Sequence, residues 1–419
     1  MTRALRSAIL HIGTEKTGTT TLQHMLAARR TELMEFGFCF AAAPGCANHV
    51  ALALFAAPEN MPGDYDIPSK QEGGFDEAMF ARHFSAELAA LPDHAHTVIY
   101  SSEFCHSRLI EDSQVAKLAV LLRRHFASVR VLVYLRRQDE LACSMYSTLL
   151  RIGDTGLELL PNVPNAGDAL NNLRDLTWAH YFDYEGLLDR YARAFGKHCI
   201  EPRIFAPDRF VGGNLVSDFL AACGLPDWLG EGMPSRNRAI PAAGQHFLVR
   251  LNGYHANANP SMPPEARDVC TAILESNLRG RPRFPARVDA ERFYARYRAA
   301  NERVRAAWFP KQPRLFAEDF SQYPEVSARC DAEADAEALR AAFVVVSELV
   351  REKLALEHRL QHQFAMAQTP YSQAEAAHGS TAIGPRPIAA PIVPGKAGVA
   401  NSLRSRLSRA LGRVRTGAL

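Results

Sequence analysis

The stretch AILHIGTEKTGTTTLQ, residues 8–23, decides how the rest of the chain is read. Residues 8–12 are an apolar strand, a Gly/Thr-rich turn follows, and from Thr21 to about Arg30 a helix carries Leu22, Met25 and Leu26 on one face. A turn between a strand and a helix N-terminus offers unpaired backbone N–H groups and the positive end of the helix dipole, and both attract phosphate. Gly13 and Gly18 let the backbone curl around the oxygens, Thr19, Thr20 and Thr21 add hydroxyl donors, and Lys16 supplies a point charge in mid-loop. A P-loop nucleotide hydrolase needs GxxxxGK[ST], with lysine directly after the second glycine. Thr19 stands there instead, which argues against ATP or GTP.

Working outward, HTVIYSS (96–102), VRVLVYL (129–135) and CIEPRIFA (199–206) read as three more buried strands, each followed by a helical pattern. Four strand-to-helix crossovers imply an α/β, P-loop-type three-layer fold, with a central, mainly parallel sheet flanked by helices. Ligands in such sheets bind at the carboxyl ends of the strands, so polar residues there are the ones to weigh. Beyond about residue 235 the chain turns helical and rich in Arg and Ala. A last helix, about 332–362, carries Leu339, Phe343, Val346, Leu349, Val350 and Leu354 at helical spacing. The expected organisation is an α/β domain with helical additions over 1–325 and a C-terminal helix packed on the core over 326–365. A disordered Ala/Pro/Gly linker then covers 366–400, and a basic amphipathic tail 401–419.

With 419 residues, 47% of them hydrophobic, the chain can bury a large core. Its formal charge of +3 calls for no nucleic acid partner, so any anion site is local. The eight cysteines show no CxxC or Cys/His metal spacing and suit a reducing cytosol. The opening MTRALRS runs into an apolar segment too short for a signal core or a membrane span, so the expectation is a cytoplasmic protein. From Gln368 onward seven Lys/Arg face one Glu. Such a tail either lies on an anionic membrane, at the inner face of the cell membrane, or stays solvated.

The segment GTEKTGTTTLQ resembles the 5′-phosphosulfate loop of sulfotransferases, whose pattern is roughly K-[ST]-G-[ST]-T between a strand and a helix. The resemblance places Lys16, Thr17, Gly18, Thr19, Thr20 and Thr21 in the loop that grips the 5′-phosphate end of 3′-phosphoadenosine 5′-phosphosulfate (PAPS), the family's co-substrate. The family's 3′-phosphate element is an arginine closing a strand and a serine eight residues on. In VLVYLRRQDELACSMYS, Arg136 and Ser144 supply both, with Arg137 as a neighbour that could serve instead. A guanidinium fork and a hydroxyl about two helical turns later can converge on one phosphate. YLRRQDELACSMY and YEGLLDRYARAFG are similar to bacterial carbohydrate sulfotransferase-like proteins, and the likeness runs patchily over about 7–320. It implies sulfuryl transfer to a hydroxyl of a saccharide: a cell-surface polysaccharide, a lipopolysaccharide or a lipid-linked glycan. No metal is required.

Such a transfer needs a base for the acceptor's proton. YSSEFCHS presents Glu103, with His106 three residues later, and GCANHVALAL presents His49 beside Asn48. Burial would raise a glutamate's pKa to suit the task, whereas a histidine needs less tuning. Ser101 and Ser102 either reach the ligands or satisfy local backbone groups, and Arg236 and Arg238 could contact the 3′-phosphate or an anionic acceptor. Acceptor contacts are expected from 58–75 and 152–175. Two rival readings stand beside this one. A P-loop kinase is disfavoured by the missing GK[ST] and by the lack of a strand-end carboxylate for Mg²⁺ other than Glu103. A non-catalytic nucleotide-binding protein would keep Lys16 and Arg136 and use neither base.

Overall fold

The computed structural model describes residues 6–58, 75–163, 178–232, 239–258, 264–326 and 331–377. In chain order they form β1 (Ser7–His11), α1 (Thr19–Ala28), α2 (Arg30–Glu35), β2 (Phe38–Phe40), α3 (Val50–Ala56), α4 (Glu77–Ala90), β3 (Thr97–Ser101), α5 (Phe104–Ser107), α6 (Asp112–His125), β4 (Ser128–Leu135) and α7 (Gln138–Arg151). There follow α8 (Tyr184–Phe195), β5 (Ile200–Ile204), α9 (Leu215–Cys223), α10 (Ala242–Ala258), α11 (Pro264–Asn277), α12 (Arg287–Ala295), α13 (Arg298–Trp308) and α14 (Asp331–Ala377). The strands form one sheet in the order β2-β3-β1-β4-β5, with every pair parallel. This is the α/β fold the sequence implies, with one addition. The three-residue β2 at the edge is too short to announce itself as an apolar run.

Alternation along the strands sorts the core into two layers. Leu10, Tyr100, Val131 and Val133 point to one face, where Phe84 of α4, Leu118 of α6 and Tyr191 of α8 cover them. Ile9, Ile99, Leu132 and Tyr134 point to the other and meet Leu22 and Met25 of α1 and Phe219 of α9. A third cluster joins Tyr146 and Leu150 of α7 to Leu248 of α10, Leu274 of α11 and Val345 of α14.

Two expectations for the C-terminal region change. α14 packs through Ala341 and Val345, at 0% and 4% exposure, whereas Leu339, Phe343, Val346 and Val350 are 57%, 64%, 57% and 51% exposed. The apolar stripe read from the sequence faces outward, and the small Ala/Val face is the one that joins the cluster with α7 and α10. The helix also continues to Ala377, through residues 366–377 that the Ala/Pro/Gly composition had assigned to a linker. Its Ala, Gln and Glu content supports a helix there. Residues up to Arg351 form one compact unit, and Glu352 opens a second, of which the end of α14 is the described part. Among the described residues no helix is long and apolar enough to cross a membrane. Residues 378–419, with the basic tail, lie outside the described residues.

One polar clasp fixes the wall opposite the sheet. Arg137, at the start of α7, forks onto Asp139 through Nε–Oδ1 at 2.8 Å and Nη2–Oδ2 at 3.0 Å. Its Nη1 donates to the carbonyls of Ala317 and Asp319 at 2.7 and 2.6 Å, its guanidinium lies 4.3 Å from the centre of the Phe320 ring, and the Tyr323 hydroxyl donates to Asp139. Arg137 therefore binds the chain's own backbone, and a ligand role for it is corrected. Replacing it (Arg137→Ala) leaves the fully buried Asp139 without its counter-charge. The expected loss is about 3–5 kcal/mol of unfolding free energy, measured by chemical denaturation.

Candidate functional site

The pairing of β1 with β4 continues past the end of β1: Ile12 N donates to Leu132 O at 3.0 Å, Tyr134 N to Gly13 O at 2.6 Å, and Thr14 N to Tyr134 O at 3.0 Å. The loop after β1 thus leaves the sheet at the level where β4 ends. Arg136, one residue beyond β4, donates from Nη1 to Lys16 O at 2.9 Å. Lys16 has φ +62°, a left-handed conformation costly for a residue with a side chain, and the Arg136 bond to its carbonyl helps hold it. Gly18, at φ +77°, is the N-cap of α1, and a Cβ there would lie 2.4 Å from Leu215 Cδ2. No side chain caps α1, so the positive end of its dipole is left to whatever occupies the space beyond.

That space is a cavity of about 550 Å³, the size of a small-molecule site. Lys16, Gly18 and Thr19–Thr21 line one end; Glu103 enters from the end of β3, Arg136 from the end of β4, and Ser144 from the second turn of α7. The structure therefore brings nearly all the donor-side candidates to one cavity. Thr17 is the exception, because it is fully buried and its hydroxyl donates to Thr14 O at 2.6 Å, closing the loop on itself.

Burial and a row of cations set the electrostatics. The Lys16 ammonium is pushed down to about 8, first by burial and then by the positive charge of Arg151, while Glu15 and Glu103 pull the other way. The Glu103 carboxyl is pushed upward by burial, although it accepts a 2.7 Å hydrogen bond from Gln23 Nε2 and one from the Thr19 hydroxyl. Gln23 also donates to Ser101 Oγ at 3.3 Å, which in turn bonds His11 Nδ1 at 2.9 Å. Arg136 contacts Glu140 at 3.4 Å and lies 5.3 Å from the centre of the Phe205 ring.

The histidines are elsewhere. His49 is fully buried outside the cavity: its Nε2 donates to Ala41 O at 2.9 Å and its Nδ1 accepts from Ser101 N at 3.0 Å, with the ring against Phe40. Both ring nitrogens are spent on the ends of β2 and β3, and burial pushes the imidazole down to about 3, so the expectation of His49 as a base is corrected. His106 is used the same way, between Glu15 N at 3.4 Å and Tyr181 O at 3.0 Å, and is likewise held at about 3. Ser102 Oγ donates to Asn48 Oδ1 at 3.0 Å and Ser101 serves Gln23 and His11, so both serines satisfy local groups. Arg236 and Arg238, and most of the two segments expected to touch an acceptor, lie outside the described residues.

Sequence reasoning missed Phe205, Phe284, Tyr323 and Arg151, all of which line the cavity. Phe205 follows β5, and the same attention to strand ends would have found it. Phe284 and Tyr323 come from loops with no portable pattern, and Arg151 stands among many arginines.

No family model matches the chain, and no curated protein does. Among solved structures it is similar to the crystal structure of a sulfotransferase from Alicyclobacillus acidocaldarius, with 16% identity over 73% of this chain and 96% of the other, at a TM-score of 0.39. A likeness that distant decides nothing about the site, whose chemistry is read from its own residues.

The buried imidazoles have a measurable consequence. His11, His49 and His106 sit near pKa 3 in the folded chain, against about 6.5 unfolded, so each favours the folded state above pH 6.5 and loses that contribution as pH falls toward 3. Glu103, raised by burial, works in the opposite direction. Unfolding near pH 5 should take up about three protons from the three histidines, a slope of about 4 kcal/mol per pH unit from them alone. His49→Gln should reduce that uptake by one, as read from denaturation across a pH series.

Proposed function

We propose that the protein is a sulfotransferase that moves a sulfuryl group from PAPS to a hydroxyl of a saccharide. The observation that carries this reading is the convergence of the Lys16 loop, Glu103 and the Arg136/Ser144 pair on one cavity of about 550 Å³. Two anion-binding ends fit a donor with a 5′-phosphosulfate and a 3′-phosphate. The α1 N-terminus with Thr19–Thr21 would hold the first, and Arg136 with Ser144 the second, as the resemblance of both motifs implies. Phe205 and Phe284 add flat apolar surface to the cavity, on which a base can stack.

The chain's residues then divide the work. Glu103, held by Gln23 and Thr19 and made more basic by burial, accepts the proton of the acceptor hydroxyl as its oxygen bonds to sulfur. Lys16 stabilises the negative charge that collects on the bridging oxygen as the sulfur–oxygen bond to the 5′-phosphate breaks. The saccharide acceptor, in a polysaccharide, lipopolysaccharide or lipid-linked glycan, follows from the resemblance to bacterial carbohydrate enzymes, and contact with the inner face of the membrane would come through the basic tail.

Adenosine 3′,5′-bisphosphate should raise the melting temperature, and ATP with Mg²⁺ should leave it nearly unchanged. The reverse pattern would favour a kinase and sink this reading, while stabilisation without sulfate transfer to a glycan panel would indicate an inert binder. Glu103→Gln should lower kcat about 10²–10⁴-fold with bisphosphate affinity kept. The Lys16 ammonium adds a pH signature. An anion binds better to its charged form, so bisphosphate affinity is full below pH 8 and falls as pH rises through it, by up to about tenfold per unit. Lys16→Met should bind weakly and flatten that profile in calorimetric titrations.

A further inference from the structure

Burial works against Glu103 in the role of a base, because desolvation favours its neutral acid form. A base must be ionised before it can take a proton. The charged form is supported from α1, where Gln23 Nε2 donates to Glu103 Oε2 at 2.7 Å and the Thr19 hydroxyl adds a second bond. The titratable groups that act on Glu103 from its other neighbours are Glu15 and Lys16 of the loop, which oppose one another, and Cys105 of α5. The Cys105 thiol is pushed up to about 12 by burial and stays neutral. The Gln23 bond therefore has much of the balance to set.

An amide can turn either its N–H or its oxygen to a neighbour, so the surroundings of Gln23 have to choose the N–H. Gln23 is 3% exposed, and its Nε2 also donates to Ser101 Oγ at 3.3 Å. Ser101 is fully buried, so its hydroxyl, accepting from Gln23, has to donate elsewhere; the neighbour it meets is His11 Nδ1 at 2.9 Å. Burial keeps that imidazole neutral, pushed down to about 3. Nδ1 can accept only in the tautomer that carries its proton on Nε2. Nε2 is itself buried without a hydrogen-bond partner, so the Ser101 bond selects the tautomer. Without an acceptor at His11, the Ser101 hydroxyl would turn to Gln23 and draw the amide oxygen toward it. That oxygen would then face Glu103 too, which suits only the protonated acid.

We infer that Gln23, Ser101 and His11 are positioning residues: a hydrogen-bond chain of one sense, from Gln23 through Ser101 to His11 Nδ1, keeps an N–H on Glu103 and holds the base ionised. The inference rests on the reading of Glu103 as the base, and its test needs neither donor nor acceptor. Nitrogen NMR of the full chain carrying ¹⁵N-histidine reads the tautomer, with His11 assigned by its absence from His11→Phe or His11→Leu. At pH 7.5 the wild type should carry the His11 proton on Nε2. Infrared spectroscopy follows the carbonyl band of protonated Glu103, identified by its absence from Glu103→Gln. The pH at which that band reaches half its height should rise by about one unit in Gln23→Met, a tenfold larger protonated fraction at a given pH. It should rise by a smaller amount in Ser101→Ala; residues that served packing alone would leave it unmoved. A His11 proton on Nδ1, or an unmoved Glu103 in either variant, overturns the chain. Failure of the wild type to bind adenosine 3′,5′-bisphosphate refutes the donor reading instead, and both spectroscopic readouts still decide the chain.

Discussion

The parallel pairing of β1 with β4 is the constraint on which the site depends. A one-residue slip would turn Ile9 and Leu10 to the wrong layers, so the two-sided core fixes the register, with His11 opposite Leu132. The same register sets the height at which each strand ends. The ladder then runs on through Gly13 and Thr14 to Tyr134, so the loop after β1 and the turn after β4 emerge side by side. Arg136 can then grip the carbonyl of Lys16. Lys16 and Arg136, 120 residues apart in sequence, are neighbours because this register brings the ends of β1 and β4 to one level.

The polar groups behind the site are organised by the same strand ends. His49 ties β2 to β3, His106 ties the Lys16 loop to the segment before α8, and Ser101 links His11 to Gln23. Each histidine is kept neutral by burial and works as a donor and acceptor of fixed geometry. Gln23, one turn into α1, then reaches Glu103 across the cavity floor. Glu103 is therefore aimed by a chain of bonds that starts in the sheet, and its carboxyl belongs to the cavity lining, to which neither His49 nor His106 contributes.

Much of this was legible in the sequence, for reasons that differ from element to element. β1, β3 and most of β4 are continuous apolar runs because a sheet covered on both faces leaves no polar alternation, whereas the edge strand β5 carries Glu201, Pro202 and Arg203 and stood out by its flanking residues. β2 was missed because three residues carry no period. Lys16, Arg136 and Ser144 fall on one cavity because the loop after β1 and the turn after β4 follow strand ends that the sequence marks. The base was harder to place, since sequence offers no way to tell a histidine that spans two backbones from one that faces a ligand: Asn48 and His49 look as polar as Glu103 until their partners are known. The last helix misled for a related reason. Its period showed which residues share a face, but the small Ala341/Val345 side is the one that packs.

The cavity holds its cations at a cost the empty protein carries. Lys16 is partly desolvated, twisted into a left-handed conformation and set within the field of Arg151, and each of these disfavours the charged, ordered ammonium. Glu103 close to Lys16, Glu275 close to Arg151 and Glu140 close to both Arg136 and Arg137 offset part of that cost. They do so without occupying the α1 N-terminus, which no side chain caps. A site built this way is organised before its ligand arrives, and the free energy released when an anion relieves the repulsion is available for holding that anion in place.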